Sequence, residues 1–345
     1  MLQIQEQIHL APHTTLRIGG PARFYAEITS EADLLEALAF ADFRSLPVFI
    51  LGGGSNLLVP DTGFEGMVLH LAITGAFVSN ENLLEVPAGT EWDTLVLTLC
   101  RQGRSGIECL AGIPGLVGGA PIQNIGAYGQ EAAEIIHSVR AYNRQNREFV
   151  VLPRAACRFA YRSSLFNTTA RNRYIVTSVT FELNPAAKPN LTYADLRNHF
   201  APGATPTPME VYEAVRQIRA AKGMLLVEGD PDCRSAGSFF KNPIVPPHAL
   251  TPIAANLAIP EASIPRYPAP AGNIKLPAAW LLDQAGFRKS FTLGEAGISS
   301  KHTLALINRG HATYADIVRL RTLIVETVQT RFGIHLEQEP VEPHV

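Results

Sequence analysis

Two glycine-rich segments constrain this chain more than any other feature of its sequence. Residues 51–59 contain three consecutive glycines at 52–54, and residues 112–129 contain six glycines in eighteen positions. Successive glycines let backbone N–H groups converge on an anion, so the first segment is a candidate phosphate-binding turn. It is not a Rossmann fingerprint, because Leu57 stands where a third glycine is needed. A tight turn between two strands is the alternative interpretation.

The second glycine-rich segment is also rich in isoleucine, leucine and valine, whereas flexible surface loops are usually polar. This composition favours an ordered backbone that closely approaches a large ligand. Pro114 is predicted to start a short helix whose N-terminus points at a phosphate. A flexible surface loop is the alternative. Two phosphate-binding loops together indicate a diphosphate, and hence a dinucleotide such as FAD.

Composition argues against several other classes of protein. The 345 residues carry 29 Lys+Arg and 31 Asp+Glu, a net charge of −2, which disfavours a nucleic-acid partner. No apolar run reaches the roughly 18 residues of a membrane span, and no secretory signal is visible. The four cysteines show no CxxC spacing, which favours free thiols in a reducing compartment. We therefore expect a cytoplasmic protein of two or three domains, without nucleic-acid, membrane or metal partners.

The predicted secondary structure combines strands with capped helices. Strands are predicted at residues 48–51, 57–59, 67–71, 83–86, 139–143, 148–152 and 174–183. Helices are predicted after four capping pairs: Ser30–Asp33, Thr90–Asp93, Thr207–Glu210 and Thr313–Asp316. A short helix is expected over 278–285, and the proline-rich stretch 243–277 is predicted to be dominated by loops.

Five motifs resemble one family of flavoenzymes. They are LGGGSNLL, AGIPGLVGGAPIQNIGAYG, CRFAYRSS, AGSFFKNP and the closing HLEQEP, and they resemble the UDP-N-acetylenolpyruvoylglucosamine reductase (MurB) family. The resemblance implies an α+β fold: a two-subdomain FAD-binding fold of the vanillyl-alcohol-oxidase (PCMH) type plus a C-terminal α+β substrate-binding domain. The expected parts are FAD-binding subdomains at 1–72 and 73–207, a substrate-binding domain at 208–334, and a C-terminal strand at 335–345 that returns to the active site. The resemblance also implies a monomer.

The reaction implied by the resemblance belongs to peptidoglycan synthesis. NADPH, as co-substrate, reduces non-covalently bound FAD, and flavin N5 then gives hydride to UDP-N-acetylglucosamine enolpyruvate. The product is UDP-N-acetylmuramate. Hydride addition next to a carboxylate builds a doubly charged enolate, which needs groups that stabilise the developing charge. The enolate carbon must then receive a proton.

Three residues match the family's catalytic groups. Arg162 matches the arginine at the substrate carboxylate, for which a planar guanidinium is suited. Ser238 matches the proton donor, because a weak acid suffices for a strongly basic enolate carbon once it is positioned. Glu339 matches the acid, expected to be protonated or to share a proton in a low-dielectric site. Glu337 shares a strand face with Glu339, so geometry alone leaves both open. Taken singly, Arg162 would suit a surface ion pair, Ser238 a serine that caps a turn, and Glu339 a solvated surface carboxylate.

The resemblance also assigns binding residues. Those expected to bind FAD are Gly52, Gly53, Gly54, Ser55, Asn56, Leu57, Ile113, Pro114, Gly115, Gly118, Gly119, Ile122, Asn124, Gly126 and Ala127. Those expected to bind substrate are Tyr193, Lys222, Asn242 and Tyr267. Lys222 and Tyr267 resemble the pair that meets the UDP diphosphate, and Tyr193 resembles a tyrosine on a loop that closes over the substrate.

Two other functions remain open at this point. The first is an FAD oxidase on the same flavin scaffold that acts on an alcohol or sugar. Many such oxidases tether flavin through His or Cys, and the glycine-rich segments contain neither. The second is a non-catalytic nucleotide-sugar binder, which would have no use for a proton donor such as Ser238.

Overall fold

The computed structural model describes residues 2–80, 82–183 and 188–343. This described part contains seven α-helices, two larger β-sheets, two three-stranded sheets and one two-stranded sheet. The larger sheets lie in the first half of the chain, and the three-stranded sheets lie in the second half with the longest helix. No helix within the described residues combines the length and apolar character needed to cross a membrane.

The first sheet is mixed, with strand order β1–β2–β4–β3. Its strands are β1 (Ile4–His9), β2 (Pro21–Ile28), β3 (Val48–Leu51) and β4 (Phe64–Leu71). Strand β1 is antiparallel to β2, whereas β4 is parallel to both of its neighbours. Helix α1 (Glu31–Phe43) packs its apolar residues on this sheet. Its predicted cap is confirmed, because the Ser30 side chain accepts a hydrogen bond from the Asp33 N–H.

The second sheet is antiparallel, with strand order β10–β9–β11–β6–β5. The strands of this part are β5 (Val78–Asn80), β6 (Leu83–Pro87), β7 (Gly126–Ala127), β8 (Gln130–Glu131), β9 (Ile136–Asn143), β10 (Glu148–Pro153) and β11 (Tyr174–Glu182). Strands β7 and β8 form the small two-stranded sheet. The predicted hairpin formed by β9 and β10 and the long strand β11 are confirmed.

Helix α2 (Trp92–Arg101) packs under the second sheet, but its predicted capping pair is wrong. The helix begins after Glu91, and no side chain caps it. The Asp93 carboxylate instead accepts a hydrogen bond from the Gly112 N–H at 2.6 Å and forms an ion pair with Arg216. Long-range partners therefore use the carboxylate that local spacing assigned to the helix start.

Helices α3 (Ala194–His199) and α4 (Pro208–Ala221) follow the second sheet. The predicted capping box of α4 is confirmed, because Thr207 and Glu210 bond each other's backbone N–H groups. The buried side chains of α4 join the core beneath the second sheet. The boundary expected between residues 207 and 208 stays a prediction, and α4 packs with the part that precedes it.

The second half of the chain has its own core around helix α7 (Tyr314–Phe332). The other elements are β12 (Ile244–Val245), α5 (Leu250–Leu257), β13 (Tyr267–Pro268), β14 (Ile274–Lys275), α6 (Ala278–Ala285), β15 (Thr292–Leu293), β16 (Ala296–Ile298) and β17 (Leu306–Asn308). The predicted start of α7 at Thr313–Asp316 is confirmed, and α6 is confirmed at its predicted position. The stretch 243–277 is more regular than predicted, because α5 buries Ile253 in this core and β12–β14 form a sheet.

The C-terminal strand predicted at 335–345 is not regular: residues 335–343 pair with earlier parts of the chain only through isolated bridges, and residues 344–345 lie outside the described residues. Gln338 forms an antiparallel bridge with Phe240, and Val341 forms a parallel bridge with Leu57. The predicted strand at 57–59 is wrong, since only Leu57 forms a bridge there. Leu58 and Val59 are buried in apolar cores, and the Leu58 N–H donates to the Val341 carbonyl within this isolated bridge rather than within a regular strand.

Candidate active site

The two glycine-rich segments line one cavity of about 800 Å³ and contact each other at its wall. The Ser55 hydroxyl donates a hydrogen bond to the Pro114 carbonyl at 2.9 Å, which ties the two segments together. A Cβ on Gly53 would lie 2.7 Å from the Gly115 Cα, closer than real Cβ contacts allow. A side chain at position 53 would therefore force the two segments apart, and glycine is required there.

The cavity fits a ligand held by bare backbone. A Cβ added to Gly52 or Gly119 would meet no protein atom within 4 Å, so the space beside these glycines is open to a ligand. The cavity volume lies in the range of cofactor sites, about 300–1,000 Å³. Adjacent backbone N–H groups without side chains are the donors that a diphosphate prefers. The residues present therefore fit a dinucleotide such as FAD.

Most of the residues predicted to bind FAD line this cavity. Those that do are Gly52, Gly53, Gly54, Ser55, Asn56, Leu57, Ile113, Pro114, Gly115, Gly118, Gly119, Ile122, Gly126 and Ala127. Asn124 does not, because its amide is buried and supports the loop from within. Its Nδ2 donates to Glu131 and to the Ala160 carbonyl, and its Oδ1 accepts from the Ala133 N–H.

The helix predicted to start at Pro114 is wrong. The Pro114 carbonyl accepts the hydrogen bond from Ser55, and the first helical turn of this segment is a 3-10 turn over Val117–Gly119. The Gly118 N–H is used by the Ala88 carbonyl at 2.9 Å. Turn geometry and glycine backbone, rather than a helix N-terminus, form this wall of the cavity.

The three predicted catalytic residues line the same cavity. Arg162 Nε lies 3.0 Å from Glu339 Oε1, and these side chains are only 20% and 11% exposed. The Arg162 Nη2 also donates to the Gly126 carbonyl at 3.0 Å, on the second glycine-rich segment. Arg162 has a φ of 52°, a left-handed conformation uncommon for arginine. This strained backbone is held where the guanidinium meets the cavity.

Strand-like pairing brings Ser238 next to the C-terminal segment. The Glu339 N–H donates to the Phe239 carbonyl and the Lys241 N–H donates to the Glu337 carbonyl, each at 2.9 Å. Ser238 directly precedes Phe239, whose side chain is fully buried. Ser238 and Glu339, which lie 76 and 177 positions after Arg162, are thereby brought to one site.

The structure distinguishes the two candidate carboxylates, although both line the cavity. Glu339 is nearly buried and pairs with Arg162. Glu337 pairs with Lys241 and its side chain is 67% exposed. The carboxylate that pairs with Arg162 is therefore Glu339.

Two of the predicted substrate residues, Tyr193 and Lys222, also line the cavity. Tyr193 precedes helix α3, and its ring packs edge-on against Tyr128 with centroids 5.3 Å apart. Lys222 ends helix α4, forms an ion pair with Asp195 and lies 5.8 and 6.0 Å from the two rings. Burial raises the pKa of Tyr193. These side chains form an aromatic wall with one cation.

The other two predicted substrate residues are not on the cavity. The Asn242 Oδ1 accepts a hydrogen bond from the Ala278 N–H at 2.9 Å, so this amide satisfies the first N–H of helix α6. Tyr267 lies on the short strand β13 and is 56% exposed. Local structure accounts for Asn242, and the position of Tyr267 leaves it outside the cavity lining.

His302 and Arg219 line the cavity but were not predicted from the sequence. His302 Nδ1 accepts a hydrogen bond from the Leu304 N–H at 3.0 Å, which leaves the proton of the neutral ring on Nε2. Burial lowers the pKa of His302 to about 4, and the charges of Lys222 and Lys289 add to this effect. No sequence signal distinguishes such a histidine from an ordinary one.

Arg219 links helix α4 to the second glycine-rich segment. Its Nε donates to the Gly112 carbonyl at 3.1 Å, and its Nη2 donates to the Met224 carbonyl at 2.6 Å. Burial lowers the pKa of this guanidinium. The arginine lies on the face of an amphipathic helix, where its spacing alone predicts no ligand contact.

Comparisons with known proteins identify the family of the chain. A family model described as "FAD binding domain" matches residues 22–150, and one described as "UDP-N-acetylenolpyruvoylglucosamine reductase, C-terminal domain" matches residues 230–342. The UDP-N-acetylenolpyruvoylglucosamine reductase of Streptomyces coelicolor is 42% identical over 99% of this chain and 91% of its own length. That of Ralstonia nicotianae is 39% identical over 96% of this chain and 97% of its own length.

A solved structure is similar along the whole chain. The crystal structure of UDP-N-acetylenolpyruvylglucosamine reductase (MurB) from Thermus caldophilus has a TM-score of 0.68, at 26% identity over 99% of both chains. The predicted α+β fold, with an FAD-binding domain followed by the family's C-terminal domain, is confirmed. From its motifs, its cavity and these near full-length matches, the chain belongs to the UDP-N-acetylenolpyruvoylglucosamine reductase family.

Proposed function

We propose that this protein reduces UDP-N-acetylglucosamine enolpyruvate to UDP-N-acetylmuramate, with NADPH as reductant and non-covalently bound FAD as the intermediary. The observation that carries the proposal is the pairing of Arg162 with Glu339 beside Ser238, in the cavity that the glycine-rich segments line. When bound, FAD would supply the hydride. A simple nucleotide-sugar binder would need no such combination of cation, acid and hydroxyl.

Arg162 is proposed to bind the carboxylate of the enolpyruvyl group. A guanidinium has five N–H groups, and here, among the described residues, only Nη2 donates a hydrogen bond, to the Gly126 carbonyl, while Nε lies 3.0 Å from Glu339 as an ion pair. N–H groups therefore remain for a second carboxylate. Arg162 would stabilise the negative charge that develops on the substrate, in a site where little water screens the interaction.

Ser238 is proposed to protonate the enolate carbon after hydride addition. Phe239 and Phe240 directly follow it and are fully buried, which anchors the backbone beside Ser238 in the apolar core. Glu339 would act as the acid beside the enolate oxygens. The tie between its backbone N–H and the Phe239 carbonyl keeps the serine and the carboxylate in fixed relation.

The aromatic wall, which consists of the rings of Tyr128 and Tyr193 with the ammonium of Lys222 beside them, is proposed to contact the nucleotide part of the substrate. A lysine ammonium is a suitable partner for a diphosphate, and tyrosine rings offer apolar faces with hydroxyl tips. Asn242 and Tyr267 lie off the cavity lining, and their substrate contacts stay predictions.

The proposal is tested by two half-reactions of the purified protein. It should be yellow, lose its absorbance near the visible flavin maximum on anaerobic addition of NADPH, and recover that absorbance when UDP-N-acetylglucosamine enolpyruvate is added. Failure of that substrate to reoxidise the reduced flavin would contradict the proposal. UDP-N-acetylglucosamine, which lacks the enolpyruvyl group, is the matched control and should leave the flavin reduced.

A further inference from the structure

Glu108 is a fully buried carboxylate outside the cavity lining. It begins the one-turn 3-10 helix Glu108–Leu110, just before the second glycine-rich segment. Glutamate is rarely buried so completely unless its oxygens are fully hydrogen-bonded. None of the chemistry proposed above uses this group, so its burial needs another explanation.

Each carboxylate oxygen of Glu108 accepts two hydrogen bonds. Oε2 accepts from the N–H groups of Gly106 at 2.6 Å and Ile107 at 3.0 Å. Oε1 accepts from Gln130 Nε2 at 3.0 Å and from the Asn190 N–H at 3.2 Å. All four partners are donors, and only a group with two acceptor oxygens satisfies them together.

The two partners of Oε1 lie close in sequence to the tyrosines of the aromatic wall. Gln130 is two residues after Tyr128, and Asn190 is three residues before Tyr193. The Asn190 Nδ2 also donates to the Gly129 carbonyl at 3.2 Å, so the two segments are tied at a second point. Buried Glu108 therefore joins the two segments that carry Tyr128 and Tyr193, at a point outside the cavity lining.

We infer that Glu108 is a positioning residue for substrate binding: it holds residues 128–130 and 190–193 together so that Tyr128 and Tyr193 form one wall. The inference rests on the proposed function, in which that wall contacts the nucleotide part of the substrate. Glu108 itself touches no ligand. Its hydrogen bonds lie in a low-dielectric interior, where charge-assisted bonds are strong and an unmet donor is costly.

The first test is the isosteric substitution Glu108→Gln. The NH₂ of glutamine would replace one carboxylate oxygen and would face two N–H donors. The two hydrogen bonds that this oxygen accepts in the wild type are therefore lost. We expect KM for UDP-N-acetylglucosamine enolpyruvate to rise about tenfold, because substrate binding must then order the wall at a cost close to that of one buried hydrogen bond to a charged group. The flavin content and kcat should stay within about twofold of wild type. Glu326→Gln, on the exposed face of α7, is the matched control and should change none of these.

The second test separates positioning from a general loss of stability. In the double variant Glu108→Gln/Gln130→Glu, the glutamine NH₂ can donate to the new carboxylate at 130. That carboxylate can also accept the Cys109 N–H, which Gln130 Oε1 accepts in the wild type at 2.9 Å. Only the Asn190 N–H then lacks its acceptor. We expect the thermal midpoint to recover toward wild type while KM stays raised.

A double variant whose KM returns to the wild-type value would overturn the inference, as would an unchanged KM in both variants. Amide hydrogen exchange provides a readout independent of catalysis, because the Asn190 N–H should exchange slowly in wild type and faster in either variant. Fast exchange of this N–H in wild type would also overturn the inference. If wild type fails to turn over the substrate, the proposed function fails, whereas the exchange experiment still tests the tie between Glu108 and Asn190.

Discussion

Neutral His302 makes stability depend on pH in a window that carboxylates do not share. Burial lowers its pKa from 6.5 to about 4. In acid the unfolded chain takes up a proton at this histidine before the folded protein does. The contribution of neutral His302 to the free energy of unfolding is therefore complete above pH 6.5 and is lost as the pH falls toward 4. Linkage from these two pKa values gives a loss of about 2 kcal/mol in the free energy of unfolding between pH 7 and pH 5.

The perturbation that isolates this loss is His302→Asn. An asparagine Oδ1 can accept the Leu304 N–H that His302 Nδ1 accepts now, and it does not titrate. Carboxylates with lowered pKa, such as Glu31 beside Arg140 and Asp33 at the start of α1, lose their contribution only at more acidic pH. His70 also has a pKa lowered by burial, but it is common to both proteins and cancels in the comparison.

The assay is urea unfolding of FAD-saturated wild type and His302→Asn at pH 7, 6 and 5. The difference between the two free energies of unfolding should change by about 2 kcal/mol across this range, with the wild type losing more. NMR titration of the ring should also give a pKa well below 6.5. Parallel stability curves for the two proteins, or a ring that titrates at its ordinary value, would refute the reasoning.

Three further predictions concern the hydroxyl, the glycines and the core. Ser238→Ala should accept hydride from NADPH at the wild-type rate in stopped-flow, yet be reoxidised by substrate at least 100-fold more slowly; equal loss of both half-reactions would contradict its role. Gly53→Ala should lose at least tenfold in FAD affinity by flavin absorbance after gel filtration, because its Cβ enters the facing loop, whereas Gly75→Ala has space and should retain FAD. Ile324→Ala should lower the free energy of unfolding by about 2–5 kcal/mol, and the exposed Leu323→Ala by about 0.5 kcal/mol. Comparable urea curves for these last two would contradict the assigned core.

Helix starts were predictable where the cap is local. Ser30 and Thr207 bond N–H groups three residues away, so a short window of sequence contains the whole interaction. The same window fails at Asp93, whose carboxylate is used by Gly112 and by Arg216, 123 residues away. Spacing identifies a possible cap, but it does not reveal competing partners brought by the fold.

In the candidate site, too, some features follow from nearby residues in the sequence and others only from the fold. The glycine-rich segments indicated a bare backbone, and the structure shows the reason at Gly53, where another backbone approaches. Asn124 and Asn242 were predicted as ligand contacts because they lie inside family-like motifs, but both amides satisfy internal backbone groups. His302 and Glu108 carried no sequence signal, since the pKa of His302 depends on its burial by the fold, and Glu108 Oε1 meets donors 22 and 82 residues away.

The sequence by itself determined the family, the helices with local caps and the glycines that must lack side chains. These features depend on residues close together in the chain or on motifs that stand complete in the sequence. The tertiary structure decided which of Glu337 and Glu339 pairs with Arg162, since both have the same strand parity and lie in the same motif. Arg162 is 177 residues before Glu339, and only the packing of the C-terminal segment against Phe239 selects which carboxylate meets its guanidinium.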